Sequence, residues 1–255
     1  MSDLFGIEGA HVLVTGGSSG LGRFFAALLA QRGARVTVAA RRAEALAKTV
    51  DDISAANGQA QSVVMDVTNA ASIESALDAA EARFGPIEIV VNNAGVTATR
   101  PAFDQDESDW DRVVDTNLKG VWLVAQAAGR RMVAHKLKGS IVNIASILGL
   151  RVASAVAPYA ISKAGVIQMT KALALEWARY GIRVNALAPG YFATELNDDF
   201  FESDAGKALI KRVPQRRLGQ LAELDGPLLL LISNAGSFMT GSVLTVDGGH
   251  MVSGL

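Results

Sequence analysis

The sequence predicts an α/β fold, a doubly wound sheet of about seven mostly parallel strands with helices on both faces. Three observations point to it. Short apolar runs rich in β-branched residues alternate with longer helical patterns along the chain. Two of those runs, Ile87–Val91 and Ile141–Ala145, lack strict in/out alternation, as strands covered on both faces do. The first run also opens through a glycine-rich turn into a helical pattern, the order of a βαβ unit.

In chain order the predicted strands are His11–Thr15, Arg35–Ala39, Gln61–Met65, Ile87–Val91, Ser140–Ala145, Arg183–Ala188 and Ser242–Val246. The alternation runs from Val12 to Val246 with no linker, repeat or low-complexity tract, so residues 1–255 are expected to form a single domain. The segment least like a regular element is 195–219, where Asp198, Asp199, Glu202 and Asp204 precede Lys207, Lys211, Arg212, Arg216 and Arg217. It is expected to act as a lid over a substrate site.

Composition removes several classes of function. With 24 basic and 25 acidic side chains the net charge is −1, leaving no surplus of positive charge to neutralise a nucleic-acid backbone or anionic lipid. The absence of cysteine removes disulfides, thiolate-bound zinc, iron–sulfur clusters and thiol nucleophiles together. His11, His135 and His250 are scattered and fit no metal-ligand spacing, so no metal is expected and these residues read as structural or solvent-facing. Neither a signal peptide nor an apolar run of about 18 residues is visible, and the expected location is cytoplasmic.

The glycine turn reads Gly16-Gly17-Ser18-Ser19-Gly20-Leu21-Gly22. Gly16 permits a tight turn, Gly20 lets backbone approach a pyrophosphate, and Gly22 lets helix and sheet pack closely; the helix N-terminus then offers unpaired N–H groups to an anion. The spacing is Gly-x-x-x-Gly-x-Gly, and by itself it fits a structural turn as well as a phosphate cradle. About twenty residues further on, where a dinucleotide fold places a ribose-binding acid, this chain has Arg41 and Arg42. Guanidinium groups there suit the extra phosphate of NADP, so NADP(H) is the preferred cofactor and NAD(H) the alternative. Asp66, in Val63-Val64-Met65-Asp66-Val67, is a candidate acceptor for an adenine amino group or else an N-cap or turn residue.

Ser146 ends the fifth run, and Tyr159 and Lys163 follow it four residues apart at the start of a helical pattern. That spacing puts Tyr159 and Lys163 on one helix face. An ammonium beside a phenol, and a positively charged nicotinamide if the cofactor binds, favour the phenolate, so a lowered Tyr159 pKa and a role as general acid or base are expected. Ser146 would donate to a carbonyl oxygen where negative charge develops.

With these motifs the chain resembles the short-chain dehydrogenase/reductase family: Thr15-Gly16-x-x-x-Gly20-x-Gly22, Asn92-Asn93-Ala94-Gly95, Asn117 within Asp115–Gly120, Ser146, Tyr159-x-x-x-Lys163, and Pro189-Gly190 with Thr194. The resemblance covers almost the whole chain. It implies a Rossmann-type domain and hydride transfer between NAD(P)H and a ketone or secondary alcohol. It also implies that Tyr159 is the general acid/base, that Lys163 binds nicotinamide ribose and lowers the Tyr159 pKa, that Ser146 orients substrate, and that Asn117 holds a relay water. Ser18, Ser19, Leu21 and Val67 join the cofactor site, with Asn93, Ala94 and Gly95 on the adenosine ribose and diphosphate side, and Pro189, Gly190 and Thr194 at the nicotinamide end. Taken singly, Asn93 and Gly95 read as turn formers and Asn117 as a helix residue bonding backbone.

Rival readings are a non-enzymatic NADPH sensor, a 3-oxoacyl thioester reductase, an NAD-dependent alcohol dehydrogenase and an enoyl reductase; the last spaces tyrosine and lysine more widely. Ile147, Leu148, Leu150, Val152, Tyr191, Leu196, Phe200 and Phe201 suggest an apolar pocket for the substrate, or else core. Arg151 reads as solvent-facing, with attraction of an acidic substrate as the alternative. The pattern from Tyr159 to Tyr180 and the stretch Val121–Ala128 are apolar beyond the face needed for one sheet. The resemblance implies that these two helices form a subunit interface, with a homotetramer as the expected state.

Overall fold

β-branched side chains pack well on a pleated surface, and runs with no polar face must be covered on both sides, so they settle as buried parallel strands. In the computed structural model, which describes residues 3–193 and 201–253, these are β1 (His11–Thr15), β2 (Arg35–Ala40), β3 (Gln59–Val64), β4 (Ile89–Asn92), β5 (Ser140–Ile144), β6 (Arg183–Pro189) and β7 (Val243–Val246). They form a seven-stranded sheet in the order β3-β2-β1-β4-β5-β6-β7. Every neighbouring pair is parallel. The strand ends differ from the sequence expectation by at most two residues.

The crossover helices are α1 (Gly20–Gln31), α2 (Ala43–Ala55), α3 (Ala70–Phe84), α4 (Glu107–Val114), α5 (Gly120–Ala134), α6 (Ala157–Trp177), α7 (Asp204–Ile210) and α8 (Asp225–Ile232). A π-helical turn, Asp115–Lys119, joins α4 directly to α5. The expected lid is more regular than its sequence suggests: its described part contains α7, capped by Ser203 Oγ accepting from the Gly206 N–H at 3.1 Å. Residues 195–200 of that segment lie outside the described residues.

Alternate residues of β1 serve opposite layers. Val12 and Val14 pack with Phe25 and Leu29 of α1, Leu46 of α2 and Leu228 of α8. Leu13 packs with Ile73 and Leu77 of α3 and Val124 of α5. Because β1 lies between β2 and β4, the chain departs to both sides of it, and a crevice opens beyond the strand ends at this switch point. Among the described residues no helix is long and apolar enough to cross a membrane.

His11 is structural. Its Nδ1 faces the Gly85 carbonyl at 2.7 Å and must carry the proton, so Nε2 accepts from the Thr37 hydroxyl at 2.8 Å. Gln61 Nε2 donates to the same Thr37 oxygen and to the Ala80 carbonyl, both at 2.9 Å. Burial holds the His11 pKa below its ordinary value. The unfolded chain therefore binds this proton more readily than the folded one. The stability contributed by neutral His11 is present above the ordinary histidine pKa and is lost as pH falls through the lowered folded value. Between about pH 7.5 and about pH 5, the melting temperature of the wild type is expected to fall more steeply than that of His11→Gln. Parallel pH profiles in thermal melts would show that His11 is not the source.

Candidate active site

A cleft of about 650 Å³ occupies the switch point. Gly16, Ser18, Ser19, Gly20 and Leu21 after β1, Arg41 and Arg42 after β2, and Asp66 and Val67 after β3 line it, together with Asn93, Ala94 and Gly95 after β4. Ser146, Pro189, Gly190 and Tyr191 complete the wall with Tyr159 and Lys163 of α6. Thus the sequence-predicted residues converge, with two exceptions: Thr194 lies outside the described residues, and Asn117 stands behind the wall.

The glycine turn leaves no room for side chains. Gly16 has φ of +67°, and a Cβ there would lie 2.8 Å from Asn93 Nδ2 and 2.9 Å from Ala94 Cα. At Gly22 a Cβ would stand 2.2 Å from the Gly16 carbonyl oxygen. Helix α1 starts without a side-chain cap at Ser19 and without an acidic residue in its first turn, so its N-terminal N–H groups are free to receive an anion at the cleft. Arg42 Nη2 donates to the hydroxyls of Ser18 and Ser19, each at 3.3 Å, which places a guanidinium beside that turn. These donors and the clearance fit the phosphates of a dinucleotide.

Asn93 works on the protein itself. Its N–H and that of Ala94 donate to Thr15 Oγ1 at 3.0 and 3.1 Å, and its side-chain Nδ2 donates to the carbonyls of Thr15 and Gly16. Asp66 likewise shows its turn-forming role: Oδ1 accepts from the Thr68 N–H and hydroxyl at 2.9 and 2.8 Å, and these bonds hold its pKa below the usual value.

At the far side of the cleft, Ser146 Oγ accepts from the Leu148 N–H at 3.1 Å and starts the short 3₁₀ turn Ile147–Gly149. Lys163 is buried, and Nζ donates to the Ile144 carbonyl at 2.7 Å while lying 5.7 Å from the centre of the Tyr159 ring. Burial brings the Lys163 pKa down to about 8. Burial pushes the Tyr159 pKa up, outweighing an opposing hydrogen bond with Ser146; the expected lowering rests on the charge of a bound nicotinamide as well as on Lys163. Desolvation penalises both charges of the pair.

Asn117 lies behind the cleft wall. It is fully buried, its Oδ1 accepts from the Val96 N–H at 2.8 Å, and its Nδ2 donates to the Val96 carbonyl at 2.8 Å and to Ser162 Oγ at 3.2 Å. Its side chain is bonded to Val96 and Ser162. Ser162 in turn donates to the Tyr159 carbonyl at 2.7 Å. The sequence reading missed Ser162, although its position three residues after Tyr159 was the available signal.

Of the eight apolar residues expected to form a pocket, Tyr191 lines the cleft. Ile147 and Phe201 are buried, Val152 is 84% exposed, and Leu196 and Phe200 lie outside the described residues. Phe192, Thr97 and Thr116 line the cleft instead, giving it a mixed lining. Arg151 is not solvent-facing: Nη1 donates to the His250 carbonyl. Among the described residues no group of three or more His, Cys, Asp or Glu is placed to hold a metal ion.

A family model described as Enoyl-(Acyl carrier protein) reductase matches residues 16–251. The chain is 40% identical over 252 residues to gluconate 5-dehydrogenase of Gluconobacter oxydans (strain 621H), covering 98% of each chain. It superposes on a short-chain type dehydrogenase/reductase from Mycobacterium marinum with a TM-score of 0.92 at 40% identity, covering 97% of this chain and 98% of that one. A gluconate 5-dehydrogenase from Burkholderia cenocepacia J2315, described in complex with NADP and tartrate, gives a TM-score of 0.94 at 39% identity over 99% of both chains. The chain belongs to the short-chain dehydrogenase/reductase family. That places it among the NAD(P)-dependent oxidoreductases acting on CH–OH and C=O groups.

Proposed function

We propose that this protein reduces a ketone group on a polyhydroxy acid, and oxidises the matching secondary alcohol, with NADP(H) as cofactor and Tyr159 as the general acid and base. The observation that carries this reading is the convergence of Ser146, Tyr159 and Lys163 on the cleft that the glycine turn opens. Bound NADPH would supply the hydride. Gly16, Ser18, Ser19, Gly20 and the N-terminus of α1 would hold its diphosphate, and Arg41 and Arg42 its additional phosphate. In reduction, Tyr159 keeps its proton at Oη until the substrate oxygen gains negative charge, then gives it up; in oxidation it takes the proton back. Ser146 Oγ donates to the same oxygen. Lys163 supplies positive charge beneath the phenol, and Asn117 acts through Ser162 to position the helix carrying Tyr159.

The substrate class is supported by the likeness to gluconate 5-dehydrogenases and by the mixed lining of the cleft, which suits hydroxyl groups better than a wholly hydrophobic ketone. Carbon–carbon double-bond reduction is not favoured by Ser146 together with the four-residue spacing of Tyr159 and Lys163. For assembly, Trp122 of α5 and Ile161 and Leu175 of α6 are exposed by 39%, 50% and 84%, which supports a homotetramer built on these two helices.

Tyr159→Phe is expected to lower kcat for 5-keto-D-gluconate reduction by at least about 10³-fold, with NADPH binding still detectable by fluorescence titration. Retained turnover would sink the mechanism. In the wild type, kcat/KM with NADPH should exceed that with NADH at least about tenfold, and the double substitution Arg41→Ala, Arg42→Ala should erase most of that preference. Equal values in the wild type reject the arginine reading. Light scattering should return a multiple of the 26.7 kDa chain mass, and a stable monomer refutes the tetramer.

A further inference from the structure

One group of side chains beside the cleft is unused by the mechanism above. Tyr191, which lines the cleft, has its ring centre 5.4 Å from that of His250. His250 opens the 3₁₀ turn His250–Val252, is 4% exposed, and its Nδ1 is buried without a hydrogen-bond partner among the described residues. Arg151 donates through Nη1 to the His250 carbonyl and, at 3.4 Å, to Ser253 Oγ. The nearby carboxylate of Asp247 is spent on main chain: Oδ1 accepts from the Gly249 N–H at 2.9 Å and Oδ2 from the Met251 N–H at 2.6 Å. Arg151 is part-buried and forms no ion pair among the described residues. Its positive charge reaches both Tyr191 and His250, and Arg212 adds to it at His250.

A part-buried guanidinium without an ion-pair partner among the described residues, next to an orphaned imidazole nitrogen and a tyrosine on the cleft wall, offers an anion a place that the Asp247 carboxylate, bound to main chain, does not fill. We propose that Arg151, with Tyr191 and His250, forms the subsite for the substrate carboxylate. This rests on the polyhydroxy-acid reading above and names the residue that selects an acid over a neutral sugar. The remaining N–H groups of Arg151 supply the charge-assisted bonds, and Tyr191, which lines the same cleft as Ser146 and Tyr159, links the subsite to it. Arg151 takes no part in hydride or proton transfer, so its removal acts on the choice of substrate.

The test compares kcat/KM with NADPH for 5-keto-D-gluconate and for neutral D-fructose. The wild type is expected to prefer the acid at least about tenfold, and Arg151→Gln to reduce that preference at least about tenfold. A preference unchanged by Arg151→Gln, or equal losses on both substrates, overturns the subsite. If the wild type reduces D-fructose as efficiently as the acid, the subsite falls while carbonyl reduction stands. If it reduces neither, the polyhydroxy-acid reading falls and takes the subsite with it. Should Arg151→Gln fail to fold, inhibition of the wild type decides. Tartrate is expected to compete with the carbonyl substrate at least about tenfold more tightly than neutral threitol, and equal inhibition overturns the proposal.

Discussion

Two strand ends are clasped at the switch point, and the site is referenced to that clasp. Thr15 Oγ1 takes the N–H groups of Asn93 and Ala94, while the Asn93 side chain returns bonds to the carbonyls of Thr15 and Gly16. Thr15 is buried, so leaving its oxygen unpaired would cost more than a made bond contributes, about 1–3 kcal/mol against about 1. The clasp leaves Gly16 and Ala94 too close for an intervening Cβ. The glycine turn, and with it the start of α1, is thereby held at a fixed place relative to β4. A second tie runs from Val96 through Asn117 and Ser162 to the backbone of Tyr159, so the helix carrying Tyr159 is located from the same loop.

The chemistry at Tyr159 is a contest between burial and charge. A phenolate and an ammonium side by side attract, but each loses hydration in the same enclosed space. Burial wins on both sides: the phenol is pushed up, and the ammonium is drawn down to about 8. The hydrogen bond from Lys163 to the Ile144 carbonyl at the end of β5 favours the charged ammonium, and burial outweighs it.

The sheet was legible because its central strands β1, β4 and β5 are buried on both faces, a pattern that few other structures tolerate. Only their ends shifted, since Gln59 and Ala60 extend β3 despite weak strand character, paired to Arg35 and Val36. The cofactor half of the cleft was legible from glycine spacing and from Arg41 and Arg42, because steric clearance and charge are properties of residue type. Directions and partners were less so. Nothing in the spacing of Tyr159 and Lys163 reports how dry their surroundings are, and nothing near Asn117 in sequence announces Val96 as its partner. Arg151 looked like a surface residue because its contact, the main chain of His250, is ninety-nine positions away. The apolar residues after Ser146 misled for a related reason: Ile147 and Leu150 belong to one short turn, yet one is core and the other 44% exposed.

The π-helical turn Asp115–Lys119 gives the number of residues between α4 and α5 a meaning of its own. A π turn accommodates one residue more than an α turn without breaking the helix. Removing any single residue from it would let the whole stretch close into ordinary α-helix, rotating everything on one side by about 100° relative to the other. Asn117 would then leave the phase in which it meets Val96 and Ser162, even with every side chain of the site still present. The bracing of Tyr159 is therefore set by helical register as well as by residue identity, and a one-residue change of chain length here is equivalent to losing Asn117.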